Sequence, residues 1–327
     1  MKVGTMESDL SAANLEFLKC IGVNHVIGTD HRICGWDRLG HWDAGELTDL
    51  RKHVEAHGLK LVMLGIMQAQ SIDKEDLPNI VLATSGRDAD IERFLKCVRA
   101  AAKAGIPAIK INFSVGGVLR TKPAVGRGGA LHTALNIDEF KTPFTKAGRI
   151  TAGEMWERIT YFVQKVIPVA EEVGVRIACH PHDPAMPLGM GMDDRVLGTI
   201  DGLKKYCDLS PSPYHGLNYC QGCMEESGAS QEELLEAIRY FGTRKRLFLV
   251  HFRTIRGRAL HFREAFIDEG QMDMLAAMRA YQEVGYEHVI VPDHYPQIPG
   301  DVDRRDSRAY AVGYMKALIR ATGGETD

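Results

Sequence analysis

Residues 151–180 read TAGEMWERITYFVQKVIPVAEEVGVRIACH. Trp156, Ile159, Val163, Val166, Ile167 and Ala170 recur at helical spacing, so Thr151–Val173 reads as one amphipathic helix. Gly174 follows as a C-cap, where glycine accepts the left-handed backbone that closes a helix. The period then changes. Arg176–His180 is a short apolar run that ends in a histidine. A helix, a glycine and a buried strand tipped by a polar side chain form one unit, and the same unit recurs on both sides.

Eight runs read as strands: Lys2–Thr5, His25–Asp30, Leu59–Ile66, Ala108–Ser114, Arg176–His180, Gly216–Cys220, Leu247–Arg253 and His288–Asp293. The first and sixth are short and mixed in polarity. Near-continuous apolar stretches (VIG, LVMLGI, LFLV, VIV) mark parallel strands covered on both faces. Between the strands, Asp88–Ala104 places Ile91, Phe94, Leu95, Val98, Ala101 and Ala102 on one face and stops at Gly105. Met274, Leu275, Met278 and Tyr281 form a shorter stripe before Gly285, and Ala311, Tyr314, Met315 and Leu318 form the last. Eight alternating units in 327 residues predict an α/β protein, a (β/α)8 TIM barrel built as one domain over residues 1–327.

An open doubly wound sheet also alternates strand and helix. Its marker is a Gly-rich turn between a strand and a helix. Gly126, Gly128 and Gly129 in VGRGGA follow no predicted strand directly and precede no helix, so they read as a flexible loop. They lie in a long connection, residues 115–150, with no predicted element. On a barrel this insertion would sit at the C-terminal face, as a functional loop or as plain surface.

Composition narrows the function classes. Hydrophobic residues make up 45% and charged residues 25%, the balance of a globular chain. Forty Lys and Arg against 43 Asp and Glu give a net charge of -3, which argues against nucleic acid as a partner. No apolar run is long enough for a membrane span, and the opening MKVGTMESDL has no secretory pattern. Seven scattered cysteines, an odd number, argue against a disulfide framework and for a reducing cytoplasm.

The polar residues fall at informative places. His180 ends the fifth strand in ACHPHDP, Cys220 the sixth in GLNYCQG, His251 lies in the seventh in LFLVHFR, and Asp293 ends the eighth in VIVPDHY. Singly, each has a bland reading: a core histidine, a small buried thiol, a turn aspartate. Four successive strand ends of a barrel converge, and imidazole, thiolate and carboxylate are the usual side-chain ligands of divalent transition metals. The set does not choose the ion: zinc accepts it, and Mn or Fe suits it where substrate oxygens fill open positions. Cys220 and Cys223 form a C-x-x-C without the thioredoxin context, so Cys220 reads as the ligand and Cys223 as incidental. His294, His182, Asp183, Arg253, His31 and Arg32 surround the set and supply an acid, a base and cationic groups for an anionic substrate. Asp193–Asp194 and Arg304–Arg305 read as surface or helix-start features.

These stretches resemble the mannonate dehydratase family. ITAGEMWERITYFVQKVIPVAEEVGVRIACHPHDP is similar to that family's helix leading into a His-Pro-Asp-Asp-Pro loop. GLNYCQGC, LFLVHFR and VIVPDH resemble its cysteine, metal-histidine and Pro-Asp-His strands, and GGALHTALNIDEF resembles a further segment. The resemblance spans most of the chain and is strongest from Ile150 to His294. It implies a xylose-isomerase-like barrel with Mn2+ at the C-terminal rim, Fe2+ and Zn2+ being alternatives. It implies dehydration of D-mannonate to 2-keto-3-deoxy-D-gluconate. The implied ligands are His180, Cys220, His251 and Asp293, and His294 matches a residue with an acid/base role. Tyr310 is the nearest match for the family's second catalytic residue, a tyrosine. Where the family usually has Gly-Arg after Asp-His, this chain has Tyr295-Pro296-Gln297, and His182 stands in place of an aspartate.

The expected reaction is a metal-assisted hydro-lyase step on a sugar acid. His294 and Tyr310 would move protons, Arg253 would hold the substrate carboxylate, and His31, Arg32, His182 and Asp183 would line the substrate. No nicotinamide is implied. A sugar isomerase or epimerase on the same barrel, a dehydratase for another aldonate, and a non-catalytic sugar-acid-binding protein are the rival readings. The expected partner is a small-molecule sugar acid, with no membrane association and a homodimer as the assembly.

Overall fold

The computed structural model describes residues 1–67, 72–141 and 148–325. Eight strands close a barrel: β1 (Lys2–Glu7), β2 (His25–Gly28), β3 (Lys60–Ile66), β4 (Ala108–Asn112), β5 (Arg176–His180), β6 (His215–Cys220), β7 (Leu247–His251) and β8 (Val289–Val291). They follow one another around the ring, and β8 returns to pair with β1. Every pairing in the ring is parallel. The closed ring excludes the open doubly wound sheet.

Among the described residues, eight helices of nine residues or more lie between and after the strands: α1 (Ala12–Cys20), α2 (Ala44–Ala56), α3 (Arg87–Ala104), α4 (Ala152–Val173), α5 (Ile200–Asp208), α6 (Gln231–Thr243), α7 (Met274–Glu283) and α8 (Arg305–Ala321). Helix α4 shows why these stretches fold as they do. Thr151 and Glu154 form a capping box at its start, Gly174 closes it at φ 76°, and Met155, Ile159, Phe162, Val163, Val166, Ile167 and Ala170 are buried. No helix among the described residues is long and apolar enough to cross a membrane.

Period-2 alternation gives two cores. Outward-facing strand residues such as Leu61, Leu64, Ile109, Ile111, Ile177 and Leu217 pack against the helices. Ile27, Met63, Ala108, Ala178, Leu249, Val289 and Val291 fill the barrel itself. The next inward positions toward the C-terminal rim are no longer apolar: Lys110 above Ala108, His180 above Ala178, and His251 above Leu249. The barrel is thus packed with hydrocarbon below and with ligand chemistry above.

Four strands end before their sequence pattern predicts, β4 among them at Asn112. β2 stops at Gly28, β7 at His251 and β8 at Val291. For β8 the cause is local. Pro292 has no amide hydrogen for the ladder, and Asp293 sits at φ 57°, in the left-handed region.

The 115–150 connection is not without elements. Ala124–Val125 pairs antiparallel with Leu131–His132, and Ala134–Asn136 joins a three-stranded sheet with Ile255–Arg258 and His261–Glu264, both inserted after β7. Leu131 also bridges to Gln297 beyond β8. The VGRGGA stretch therefore follows a short strand directly and forms a hairpin turn, with Gly128 and Gly129 at φ 62° and 81°. Gly126 is needed for a close approach, since a Cβ there would collide with the His132 ring and Arg263. Strands of two to four residues carry too little pattern to be predicted. Part of the predicted insertion, residues 142–147, lies outside the described residues. Asp193 and Asp194 are buried, not surface charges: Asp193 accepts from the Val115 amide at 3.3 Å, and Asp194 from Ala152 at 2.9 Å and Gly189 at 2.7 Å.

Candidate active site

His180, Cys220, His251 and Asp293 come together at the C-terminal rim. Each offers one ligand atom, and the four atoms lie within 4.8 Å of one another. Strand register is the reason: Cys220 pairs with His251 across β6 and β7, so both side chains reach the same height. His251 Nδ1 lies 3.0 Å from Asp293 Oδ2 and 3.2 Å from His180 Nε2.

The outer nitrogens of both rings are occupied. His180 Nδ1 donates to the Pro181 carbonyl at 2.7 Å, which leaves Nε2 facing the cluster. His251 Nε2 meets the Asn218 amide at 2.9 Å, which leaves Nδ1 facing it. Fixing one ring nitrogen so that the other presents a lone pair is how proteins orient metal-binding histidines. Protonation agrees. Burial holds His180 below the usual histidine range, in the neutral form. Burial opposes ionisation of Cys220, but Cys223, Arg253 and the two histidines outweigh it and bring the thiol well below its ordinary value. Asp293 is held well below the carboxylate range by His251, His294 and Arg253, against burial. Burial lowers His251, but Asp293 and Cys220 outweigh it and raise it, so a proton is held at Nδ1 where a bound cation would replace it. The residues fit a divalent ion in chemistry, spacing and support.

A layer of buried charge backs this cluster. Arg253 is 1% exposed and donates to Glu226 at 2.7 Å, Asp183 at 3.0 Å and Asp293 at 3.2 Å, with Cys223 Sγ at 3.3 Å. Its donors are therefore spent inside the protein, in contrast to the expected clamp on a substrate carboxylate. Arg120, from the 115–150 segment, binds Asp183 at 2.5 Å and Glu264 at 2.6 Å. Asp183, Cys223 and Glu226 also offer three ligand atoms within 4.8 Å. The two guanidiniums already supply that group's positive charge. Cys223 is thus more than incidental: it is part of the Arg253 pocket.

His294 donates from Nδ1 to Glu264 Oε1 at 2.7 Å, and its Nε2 lies 3.8 Å from Asp293 Oδ2. Its side chain is 31% exposed, beside the ligand set. Burial works against its charge, but Asp293 and Glu264 raise it to about 9. Glu264 is held down to about 2 because His294, Arg120 and Arg253 outweigh its burial.

The remaining expected residues have partners of their own within the protein. His182 is buried, donates from Nε2 to the Phe113 carbonyl at 2.6 Å and accepts the Leu197 amide at 3.3 Å, so it braces the loop and does not face substrate space. Asp183 is enclosed between Arg120 and Arg253. His31 and Arg32 both bind Asp76, at 2.5 and 2.8 Å. Tyr310 is 41% exposed; its ring faces Phe266 and Arg127 and its hydroxyl engages Asp268. Where Gly-Arg was the family pattern, Tyr295 accepts from Arg308 at 2.9 Å, and Arg308 also binds Glu7 at 3.0 Å.

Three residues near the site escape sequence reading. Arg120 and Glu264 sit in short excursions and look like solvent charges in VLRTK and HFREAF. Lys110 is buried inside the barrel, 3.1 Å from Asn112 Oδ1, and burial pulls it down to about 8 although Asp293 and Cys220 oppose this. Its one signal is a lysine at an inward position of an apolar strand.

Fold and site define the class: a (β/α)8 barrel with a cluster at its C-terminal rim that could hold a metal ion. The sequence model of the D-mannonate dehydratase (UxuA) family matches residues 129–324, and the chain belongs to the mannonate dehydratase family, a family of hydro-lyases. It is 27% identical over 341 residues to mannonate dehydratase 2 of Halalkalibacterium halodurans, covering 94% of this chain and 95% of that protein. The crystal structure of mannonate dehydratase from Streptococcus suis serotype 2 superposes with a TM-score of 0.86 at 24% identity, over 100% of this chain and 97% of that one. A xylose isomerase domain protein from Planctomyces limnophilus superposes at 0.63 with 14% identity, over 99% and 98% of the two chains. The two solved structures share the fold.

Proposed function

We propose that the protein dehydrates D-mannonate to 2-keto-3-deoxy-D-gluconate. The observation that carries this reading is the His180, Cys220, His251 and Asp293 cluster with His294 beside it, in a chain of the mannonate dehydratase family. A divalent ion held by those four side chains, Mn2+ in this reading with Fe2+ or Zn2+ as alternatives, supplies Lewis-acid stabilisation of negative charge developing on substrate oxygens.

His294 is the acid/base group. Its Nδ1 is committed to Glu264, so Nε2 is the nitrogen that takes the C2 proton or delivers one to the departing C3 hydroxyl. Loss of water across C2–C3 leaves an enol, which tautomerises to the 2-keto acid. Arg253 works from behind, holding Asp293 and Asp183 in place. All seven cysteines are unpaired, which suits a reducing cytoplasm. The assembly in this reading is a homodimer, which light scattering checks.

The test is a turnover assay. Protein stripped of metal and reloaded with Mn2+ is given D-mannonate, and 2-keto-3-deoxy-D-gluconate is measured. Product that vanishes with chelator, and in Cys220→Ala and His251→Ala, supports the reading. No product from protein holding one metal ion per chain overturns it, and an epimerised or isomerised sugar instead selects the isomerase alternative.

A further inference from the structure

We propose that Glu264 is the positioning residue of this site: it fixes His294 through Nδ1, and Arg120, His132 and Thr133 hold Glu264. This rests on the reading of His294 as the acid/base group.

An imidazole that exchanges protons with a substrate needs its far nitrogen held, or the ring turns and presents the wrong atom. Two carboxylates compete for His294. Glu264 Oε1 lies 2.7 Å from Nδ1, a hydrogen bond, whereas Asp293 Oδ2 lies 3.8 Å from Nε2, which is not one. Glu264 therefore decides the orientation of the ring.

Glu264 itself is held from three sides by one segment. Its amide donates to the Thr133 carbonyl at 2.8 Å. Its carbonyl accepts from His132 Nδ1 at 2.7 Å. Its carboxylate accepts from Arg120 Nη2 at 2.6 Å and Nε at 3.1 Å. The side chain is 3% exposed, so none of this depends on a solvated rotamer.

A plainer role would be neutralising the arginines. The distances argue against it. Without Glu264, Arg120 keeps Asp183 at 2.5 Å, and Arg253 keeps Glu226 at 2.7 Å and Asp183 at 3.0 Å. His294 keeps only Asp293 at 3.8 Å. The loss falls on the imidazole.

The experiment uses Glu264→Ala and Glu264→Gln in the metal-loaded full chain. The first readout needs no turnover. The Nδ1 proton of His294, bonded to a buried carboxylate, gives a downfield NMR signal in Zn2+-loaded protein, identified by its absence in His294→Gln. It is expected to vanish in Glu264→Ala and persist in Glu264→Gln, whose amide oxygen still accepts the bond. The second readout is kinetic. Glu264→Ala is expected to lose about 10²-fold in kcat, with KM and bound metal close to wild type, and Glu264→Gln to recover at least ~10-fold of that loss. A signal that survives in Glu264→Ala overturns the proposal. So does a glutamine variant as impaired as alanine, or loss of metal from both. If Glu264→Ala does not fold, Arg120→Met removes the clamp and leaves the carboxylate; an unchanged signal there equally overturns the proposal. Wild-type protein that turns over no aldonate sinks the functional reading, and the proton signal then decides Glu264 alone.

Discussion

The side-chain amide of Asn218 lies 2.9 Å from Nε2 of His251, on the strand that ends in Cys220. This contact occupies the outer nitrogen of the ring and leaves Nδ1 facing His180 and Asp293. A ligand imidazole bound through Nδ1 carries its proton on Nε2 and needs an acceptor there. Asn218 Oδ1, which has no partner among the described residues, is the atom suited to that task. Asn218→Ala is expected to weaken metal binding about 10–100-fold with the fold intact. Competition against a fluorescent chelator measures it, and an unchanged affinity would remove Asn218 from the support of the site.

Burial moves the expectation for Arg253 from substrate affinity to stability. A carboxylate clamp would change KM when removed. Arg253 is instead enclosed by Asp183, Glu226 and Asp293. Taking it away leaves buried acids short of a partner, a loss of about 3–5 kcal/mol in comparable cases. Arg253→Met is expected to shift the urea midpoint by a corresponding amount. Arg32→Ala is the contrast. Its side chain is 56% exposed and its partner Asp76 keeps His31, so no measurable shift is expected. Equal midpoints for Arg253→Met and wild type would contradict this account.

His215 makes stability fall in acid. The ring is fully buried, 4.4 Å from the ring of Tyr206, and burial pushes it down to about 4. The folded value lies below the unfolded value of about 6.5. Below that pH the unfolded chain takes up a proton that the folded chain refuses. The stability is therefore complete above pH ~6.5 and is lost as pH falls toward 4, on the order of 3 kcal/mol in full. His215→Phe keeps the ring and removes the titration. Urea unfolding of metal-stripped protein at pH 7.5 and 5 should show the variant losing less stability than wild type. A difference that does not depend on pH would mean that His215 titrates normally.

The cluster of His180, Cys220, His251 and Asp293 is legible in sequence because each member closes or follows an apolar strand, and a closed parallel barrel brings neighbouring strand ends to one height. His182 and Asp183 show the limit of that reasoning. Alternation ends with the strand at His180, and the loop beyond turns His182 to the Phe113 carbonyl and Asp183 between two arginines. Nearness in sequence to a ligand is not direction toward substrate. Tyr310 shows a related limit: a family position two turns into the last helix needs a secure register, and the helix places this phenol by Asp268. Arg120 and Glu264 are invisible because their meeting is a long-range ion pair between a loop residue and the end of a strand too short to have a period. The polar pattern of such strands is that of ordinary loops.

The same short strands predict a local, not global, weakness. Leu135, Ile255 and Phe262 form a small core of their own beside the barrel. It belongs to the three-stranded sheet that frames Glu264. Truncating a buried leucine costs about 2–5 kcal/mol, and here the loss falls on a sheet of three strands with three or four residues each. Units of that size open without the rest of the molecule. Leu135→Ala is therefore expected to leave the barrel's unfolding midpoint almost unchanged. Hydrogen exchange should quicken across residues 124–136 and 255–264 and stay slow in β5 through β8. Turnover should fall with metal still bound, because Glu264 and Arg120 lose their frame while His180, Cys220, His251 and Asp293 keep theirs. Exchange that spreads into β7 and β8 would show that the sheet unfolds with the barrel, and would defeat the prediction.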